Sequence, residues 1–331
     1  MQPADGEYQA SLKVTQLLAD LIVRQVTDLS LLDRDKVKEL KQEAKHEKEA
    51  RFAMEEAAIA IQLDEKSKRL LKCAQEKGAS AWLSALPLKR LGYTINKQEF
   101  RDGVALRYGW SVPEMPDYCA CGKKNSVDHA MICKRGGYVH MRHNALRDTE
   151  AKFLSEVCSD VRTEPKLIPT PEDYVEGCTD PGARPDVSAR GLWSSCEKTF
   201  FDVMVSHPTA DSHMKKSVEQ LYRDDEQLKK KKYGDRIRNV EKSSFTPLIF
   251  TTTGGMGPEC TKMNKRLAEK LCNKNKESYA HVVRHIRTRL RFALLRATLV
   301  AIRGIRGSFR TDSEAELGDI SFNLIPQARV A

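Results

Sequence analysis

The sequence has no long apolar run. Its most apolar stretch, Phe292 to Ile302, is interrupted by Arg296 and is too short to cross a bilayer. The opening residues, Met1-Gln2-Pro3-Ala4-Asp5-Gly6-Glu7, show neither the basic nor the apolar region of a secretory leader. Cysteine is sparse. Nine residues, an odd number thinly spread over 331, argue against a disulfide scaffold and fit a reducing compartment. The glycine-rich turn Thr253-Gly254-Gly255-Met256-Gly257-Pro258 is not followed by Gly-Lys-Ser/Thr, so it reads as a tight entry to a helix rather than a P-loop. No internal repeat or low-complexity tract occurs. Membrane-spanning, collagen-like and fully disordered classes are thereby excluded. A length sufficient for about two domains remains.

What the chain has is a concentrated positive charge. The net charge is +10, yet residues 1–100 hold a net of +1, residues 101–210 a net of −2, and residues 311–331 a net of −3. Residues 211–310 carry 24 basic and 10 acidic side chains, a net of +14. A basic surface confined to one stretch suits contacts to phosphate. The alternative is an ordinary solvated helix face.

Hydrophobic spacing predicts a short helix over 11–30 and a long, Ala/Glu/Lys-rich helix from Asp33 to Lys77, closed by Gly78. Asp64/Lys68 and Glu65/Arg69 have favourable i,i+4 order within it. Further helices are predicted over Lys97 to Tyr108, Arg142 to Cys158, 211–240, 258–277 and 279–303. Strands are predicted at Thr199 to Val205 and Phe245 to Thr252. Helices and short strands in this order imply a small mixed sheet covered by helices.

Cys119, Cys121, His129 and Cys133 give C-x-C-x7-H-x3-C, with Gly122 at a turn and His129/Cys133 one helical turn apart. Three thiolates and an imidazole can close a tetrahedral zinc site of the structural kind. The one-residue gap in Cys-x-Cys is shorter than the commoner two, and His140 and His143 are rivals for the fourth position. Cys73, Cys158, Cys178, Cys196, Cys260 and Cys272 are unclustered and read as packing residues.

Three acids have informative neighbours. Glu164 precedes Pro165, Asp186 follows Arg184-Pro185, and Asp202 lies inside Phe200-Phe201-Asp202-Val203-Met204-Val205. A carboxylate in an apolar strand costs free energy unless paired. Two carboxylates on adjacent strands can share Mg2+, which activates water and stabilises charge on a phosphate. Strand alternation puts Phe200, Asp202 and Met204 on one face. A Pro-Asp turn followed by a strand acid is the skeleton of a restriction-endonuclease-like core, but its usual Lys two residues after the second acid is Met204 here. Glu226, Lys229 and Tyr233 share one helix face, so Lys229 can substitute; Lys230 is equally placed by spacing. Glu150, beside Leu146, Phe153 and Leu154, is a further candidate acid. In the last helix Arg284, Arg287, Arg289, Arg291 and Arg296 occur with no acid between His281 and Arg310, and are expected to face nucleic acid while the leucines pack inward.

Taken in order, these motifs resemble the C-terminal region of non-LTR retrotransposon proteins that carry a restriction-like endonuclease. The matching residues are the knuckle Cys119, Cys121, His129 and Cys133, then Arg142-His143-Asn144, Glu164-Pro165 and Arg184-Pro185-Asp186. After these come Asp202-Val203-Met204-Val205, Glu226, Lys229 and Tyr233. The likeness spans roughly 78–310. Tyr222-Arg223-Asp224-Asp225 matches the reverse-transcriptase string, but its polar, helical flanks make it a coincidence.

The resemblance implies an α/β fold: a restriction-endonuclease-like mixed sheet flanked by helices, preceded by a zinc knuckle and an α-helical N-terminal region. The divisions it implies are 1–112 helical, 113–140 knuckle, 141–310 nuclease and 311–331 acidic tail. It implies structural Zn2+ and catalytic Mg2+, with Asp186 and Asp202 as magnesium ligands. Glu164, Lys229 and Tyr233 assist, and Arg142, His143, Lys230, Arg284, Arg287 and Arg291 contact nucleic acid. The partner is DNA, with the element RNA as a further candidate; no membrane is involved, and the location is intracellular, in the nucleus. The activity implied is nicking of duplex DNA by a remnant or derivative of such an element. The alternative is a zinc-stabilised nucleic-acid-binding remnant without catalysis.

Overall fold

The computed structural model describes residues 34–169 and 184–304. The chain divides into two units, 1–63 and 64–331. The predicted helix over 11–30, Cys178 and the acidic tail lie outside the described residues.

In the first unit, helix α1 (Arg34–Gln62) has no Gly or Pro and carries i,i+4 ion pairs such as Lys45–Glu49 at 3.8 Å. The single helix predicted to Lys77 breaks at Leu63 and Asp64. Asp64 is not an i,i+4 partner of Lys68; it adopts extended backbone and its carboxylate accepts from Ser67 N at 2.9 Å, capping α2 (Glu65–Gln75). Asp-x-x-Ser is an N-cap signal inside a helical pattern, and the cap prevails. Lys68 pairs with Glu65 at 2.7 Å instead, and Arg69 donates to the Lys216 carbonyl.

The second unit holds a four-stranded mixed sheet flanked by helices. After α2, α3 (Lys97–Tyr108) and α4 (Val127–Ile132), the chain runs α5 (Tyr138–Val157), β1 (Ser159–Thr163), β2 (Val187–Arg190), β3 (Lys198–Ser206), α6 (Val218–Asn239) and β4 (Ser244–Thr251). It ends with α7 (Pro258–Asn275) and α8 (Tyr279–Arg303). The sheet order is β1-β2-β3-β4, with β1/β2 and β2/β3 antiparallel and β3/β4 parallel. The parallel pair needs a crossover, which α6 supplies. Pro247, opposite Asp202, is tolerated because β4 is an edge strand.

Alternation along β3 builds two cores. Phe201 and Val203 pack with Leu146 and Leu154 of α5, Met263 and Leu267 of α7, and Ile286 and Leu290 of α8. Phe200 packs against Tyr233 and Ile237 of α6, and Met204 against Tyr222 and Val218. Asp202 therefore projects to the α6 side, as its strand position predicts.

The arginines of α8 correct an expectation. Arg284 donates to the Ser84 carbonyl (3.2 Å), Arg289 to Leu91 (2.7 Å), Arg291 to Ala79 (2.6 Å), and Arg296 to Gly92 and Thr94 (2.6 and 2.9 Å). Arg303 forks onto Asp102 at 2.7 and 2.8 Å. The segment 78–95 is largely irregular, and its carbonyls need donors. The guanidiniums of α8 provide them, while Phe292, Leu295 and Leu299 pack on Trp82 and Tyr93. Arg291 is buried, and Arg287, half-buried, lies against Gly78. Much of the positive charge on this helix is thus an internal brace. Arg284 alone among the three α8 arginines assigned to nucleic acid is exposed.

Candidate functional site

Two clusters stand out. The first is Cys119, Cys121, His129 and Cys133, whose candidate ligand atoms all lie within 4.8 Å of one another. A tight hairpin sets the first two: Cys119 N donates to the Lys123 carbonyl at 2.9 Å, Gly122 N to that of Cys119 at 2.8 Å, and Gly122 has φ +84°. Ser126 caps α4, accepting from His129 N at 3.1 Å, and the Cys133 amide closes the helix on the His129 carbonyl at 2.9 Å. Cys119 and Cys133 sulfurs are 3.9 Å apart, and Cys121 Sγ is 3.3 Å from His129 Nε2. Zn–S bonds of about 2.3 Å place two sulfurs about 3.8 Å apart on a tetrahedral edge, so the cluster could hold a zinc ion. His140 is exposed and His143 is engaged elsewhere, so neither rival joins the four. Among the remaining described cysteines, Cys73 and Cys260 are buried as packing residues, whereas Cys196 is exposed.

The second cluster lies at β2, β3 and α6. Asp186 Oδ2 accepts from Val203 N at 2.6 Å, which ties the turn before β2 to β3. His143 Nε2 lies 3.0 Å from the same oxygen and 3.1 Å from the Val203 carbonyl; both are acceptors, so Nε2 carries a hydrogen. Burial alone would lower the His143 pKa, but Asp186, with Asp202 behind it, holds it above its ordinary value. Asp202 is 3 % exposed and forms an ion pair with Lys229 through Oδ2; the contact is ionic rather than a well-aligned hydrogen bond. Burial pushes the Asp202 carboxyl above the usual range; Lys229 opposes the shift and the Asp186 charge adds to it.

The remaining predicted residues separate. Lys230 points to α7 and pairs with Glu259 at 2.7 Å, so it is not equivalent to Lys229. Glu226 is also drawn to α7, where it accepts from Glu259 N at 2.9 Å at the helix start. Tyr233 donates to the Arg184 carbonyl at 3.3 Å, bracing the Pro-Asp turn. Glu164 pairs with Arg147, and its amide donates to the Asp186 carbonyl at 2.8 Å; its side chain stays largely exposed. Arg142 corrects the sequence expectation outright: it is buried and donates to the Met131 carbonyl at 2.7 Å, fastening α5 to α4. The Tyr-x-Asp-Asp string is helical, with Tyr222 donating to Glu76 at 2.8 Å and Asp225 accepting from Ser206 at 2.6 Å.

Sequence reasoning missed the roles of His143 and Arg147 as partners of acids. Their i,i+4 spacing on α5 carries the signal, because it puts both on one helix face.

Glu150 lies away from this site, fully buried between α5 and α7. Asn264 Nδ2 donates to its Oε1 at 2.9 Å, while Glu150 Oε2 and Asn264 Oδ1 have no partner. Burial pushes its pKa from 4.5 up to about 7. A raised folded-state pKa gives stability that is full below about 4.5 and lost as pH rises to about 7. Glu150→Gln satisfies both orphan atoms without a titrating group. Its stability should therefore fall less than the wild type's across that window, the gap between the two reaching on the order of 3 kcal/mol above pH 7. Parallel pH profiles for the two proteins would refute this.

No protein-family model matches this chain, and no curated protein matches it significantly.

Proposed function

We infer that the chain is a metal-dependent DNA endonuclease with a restriction-endonuclease-like core, derived from a non-LTR retroelement and carrying a structural zinc knuckle. One observation carries this reading: Lys229, from the crossover helix, pairs with the Asp202 carboxylate beside Asp186, in place of the lysine that Met204 replaces. The α5-β1-β2-β3-α6-β4 order is compatible with such a core.

The donor set fits a hard divalent cation. The Asp186 charge is close enough to push the Asp202 carboxyl upward, so the two carboxylates gain from a shared positive charge, and Asp186 Oδ1 has no partner among the described residues. Asp186 and Asp202 would hold Mg2+, whose Lewis acidity would stabilise charge on the phosphate. The residues around them have definite tasks. Val203 N–H and the His143 imidazole fix the Asp186 carboxylate. The Lys229 ammonium orients the attacking water or neutralises the phosphorane oxygens. Attack by water at phosphorus breaks the P–O3′ bond and leaves a 5′-phosphate and a 3′-hydroxyl.

The test is nicking of supercoiled plasmid with Mg2+. Asp186→Ala and Asp202→Ala should each abolish nicking, while both variants still bind duplex DNA with a steep salt dependence. Equal nicking by all three proteins overturns the reading. Binding without cleavage by the wild type with any divalent metal would favour the non-catalytic remnant. The engagement of Glu164 with Arg147, away from Asp202, is the feature that supports this alternative.

A further inference from the structure

A cavity of about 500 Å3 lies in the second unit, and its lining does not include Asp186, Asp202 or Lys229. That volume is in the range of small-ligand sites, about 300–1,000 Å3. Five parts of the chain line it: α2, the end of α3 with the following segment, the zinc-binding loop, the residues just after β3 and β4, and α8.

Its charge is unbalanced. Two acids line it against four cations, Lys66, Arg107, Lys124 and Arg291. Asp117 is exposed, and Asp128 is already satisfied: it pairs with Lys66 and accepts from His207 Nε2 at 2.9 Å and Thr209 Oγ1 at 2.8 Å. Arg107 and Arg291 also line the cavity, and neither pairs with a carboxylate among the described residues. Arg291 is buried, its Nε occupied by the Ala79 carbonyl and its Nη1 without a partner. Lys124 adds an exposed cation from the zinc-binding loop. Two unneutralised guanidiniums favour an anionic group, and Arg matches phosphate geometry bidentately.

The cavity also has an aromatic wall. Trp110 lines it and stacks on Tyr108 at 5.0 Å, with both rings more than half exposed. A stacked, exposed Trp–Tyr pair contributes little to a core, yet it offers a flat face to a planar ring. The half-buried Asn125, whose Oδ1 has no partner, supplies an acceptor for a base N–H.

We propose that this cavity binds a single unpaired nucleotide, with its base against Trp110 and Asn125 and its phosphate toward Arg107 and Arg291. The nucleotide is either free or an unstacked residue of a nucleic-acid strand. The site stands apart from the nicking assignment, because it is read by binding alone.

The full chain is titrated with dAMP, with a short single-stranded deoxyoligonucleotide and with inorganic phosphate, by calorimetry. Trp110→Ala should weaken binding about tenfold or more, in line with base–aromatic stacking. Trp110→Phe should restore most of it. Trp110 is exposed, so the melting temperature of both variants should match the wild type. Binding of dAMP with this Trp110 dependence supports a free-nucleotide site, and binding of the oligonucleotide alone with the same dependence supports a strand residue. Absence of binding to either, affinity indifferent to Trp110→Ala, or phosphate binding as tightly as dAMP overturns the proposal. Asp202→Ala should leave this affinity unchanged whether or not the chain nicks DNA.

Discussion

Stripping zinc with a strong chelator should unfold residues 117–133 and lower the melting temperature of the 64–304 unit by on the order of 10 °C. Apart from the contacts of Asp128 to Lys66, His207 and Thr209, the segment has little else to hold it. Its helix α4 has six residues, far below the length at which a helix is stable alone, and its hairpin is an isolated bridge between Tyr118 and Lys124. Its apolar anchor is small: Ala130 and Met131, with Val127 beside them, against Ala105, Val112, Tyr138, Ala301 and Ile302. Four ligands closing on one ion would replace the missing core, and metal binding would then become folding free energy. Loss of the segment also releases Met131, whose carbonyl accepts from the buried Arg142 guanidinium at the start of α5, and so removes a hydrogen bond from a buried charge. The effect should therefore spread beyond the loop. Calorimetric melts before and after chelation, with metal content measured by atomic absorption, test this. Cys133→Ser should reproduce the chelated melt, whereas Cys272→Ser, outside the cluster, should not. A metal-free preparation that melts like the untreated protein would sink the zinc assignment.

The elements that sequence made legible are those with a strong period or a spacing constraint. The alternation Phe200-Phe201-Asp202-Val203-Met204 placed Asp202 on the α6 side, because a strand has only two faces. The Cys-x-Cys and His-x3-Cys spacings brought four ligands together because a hairpin and one helical turn fix both pairs locally. Lys229 was separable from Lys230 only in three dimensions. The two differ by 100° around α6, one toward β3 and one toward α7, and nothing in a run of four lysines says which faces the sheet. The α8 arginines failed for a different reason. Their partners are backbone carbonyls some 200 residues earlier, which carry no side-chain signature, so an internal brace and a phosphate-binding face read alike. The break at Asp64 was legible as a cap signal, but the continuous helical pattern on both sides masked it.

Lys229→Met should lower the nicking rate by about 10²–10³ if the ammonium stabilises the transition state. It should also cost stability, because Asp202 is buried and breaking a buried pair by removing one partner costs about 3–5 kcal/mol. These two losses have different origins and can be separated. Pairing Lys229→Met with Asp202→Asn removes both charges together, so the double variant should recover most of the melting temperature lost by the single one. Nicking should not recover, since the double variant lacks both the ammonium and one of the two carboxylates. Lys230→Met is the control, because its ammonium pairs with Glu259 of α7 at a half-exposed position, and both melt and nicking should change little. If Lys230→Met impaired nicking as much as Lys229→Met, the basic run would act as a diffuse DNA contact. If the double variant melted as low as Lys229→Met, the ion pair would not be what holds α6 against β3. Stability rescued without activity is the outcome expected of this ion pair, because the proposed nicking reaction would require charges that the fold can do without.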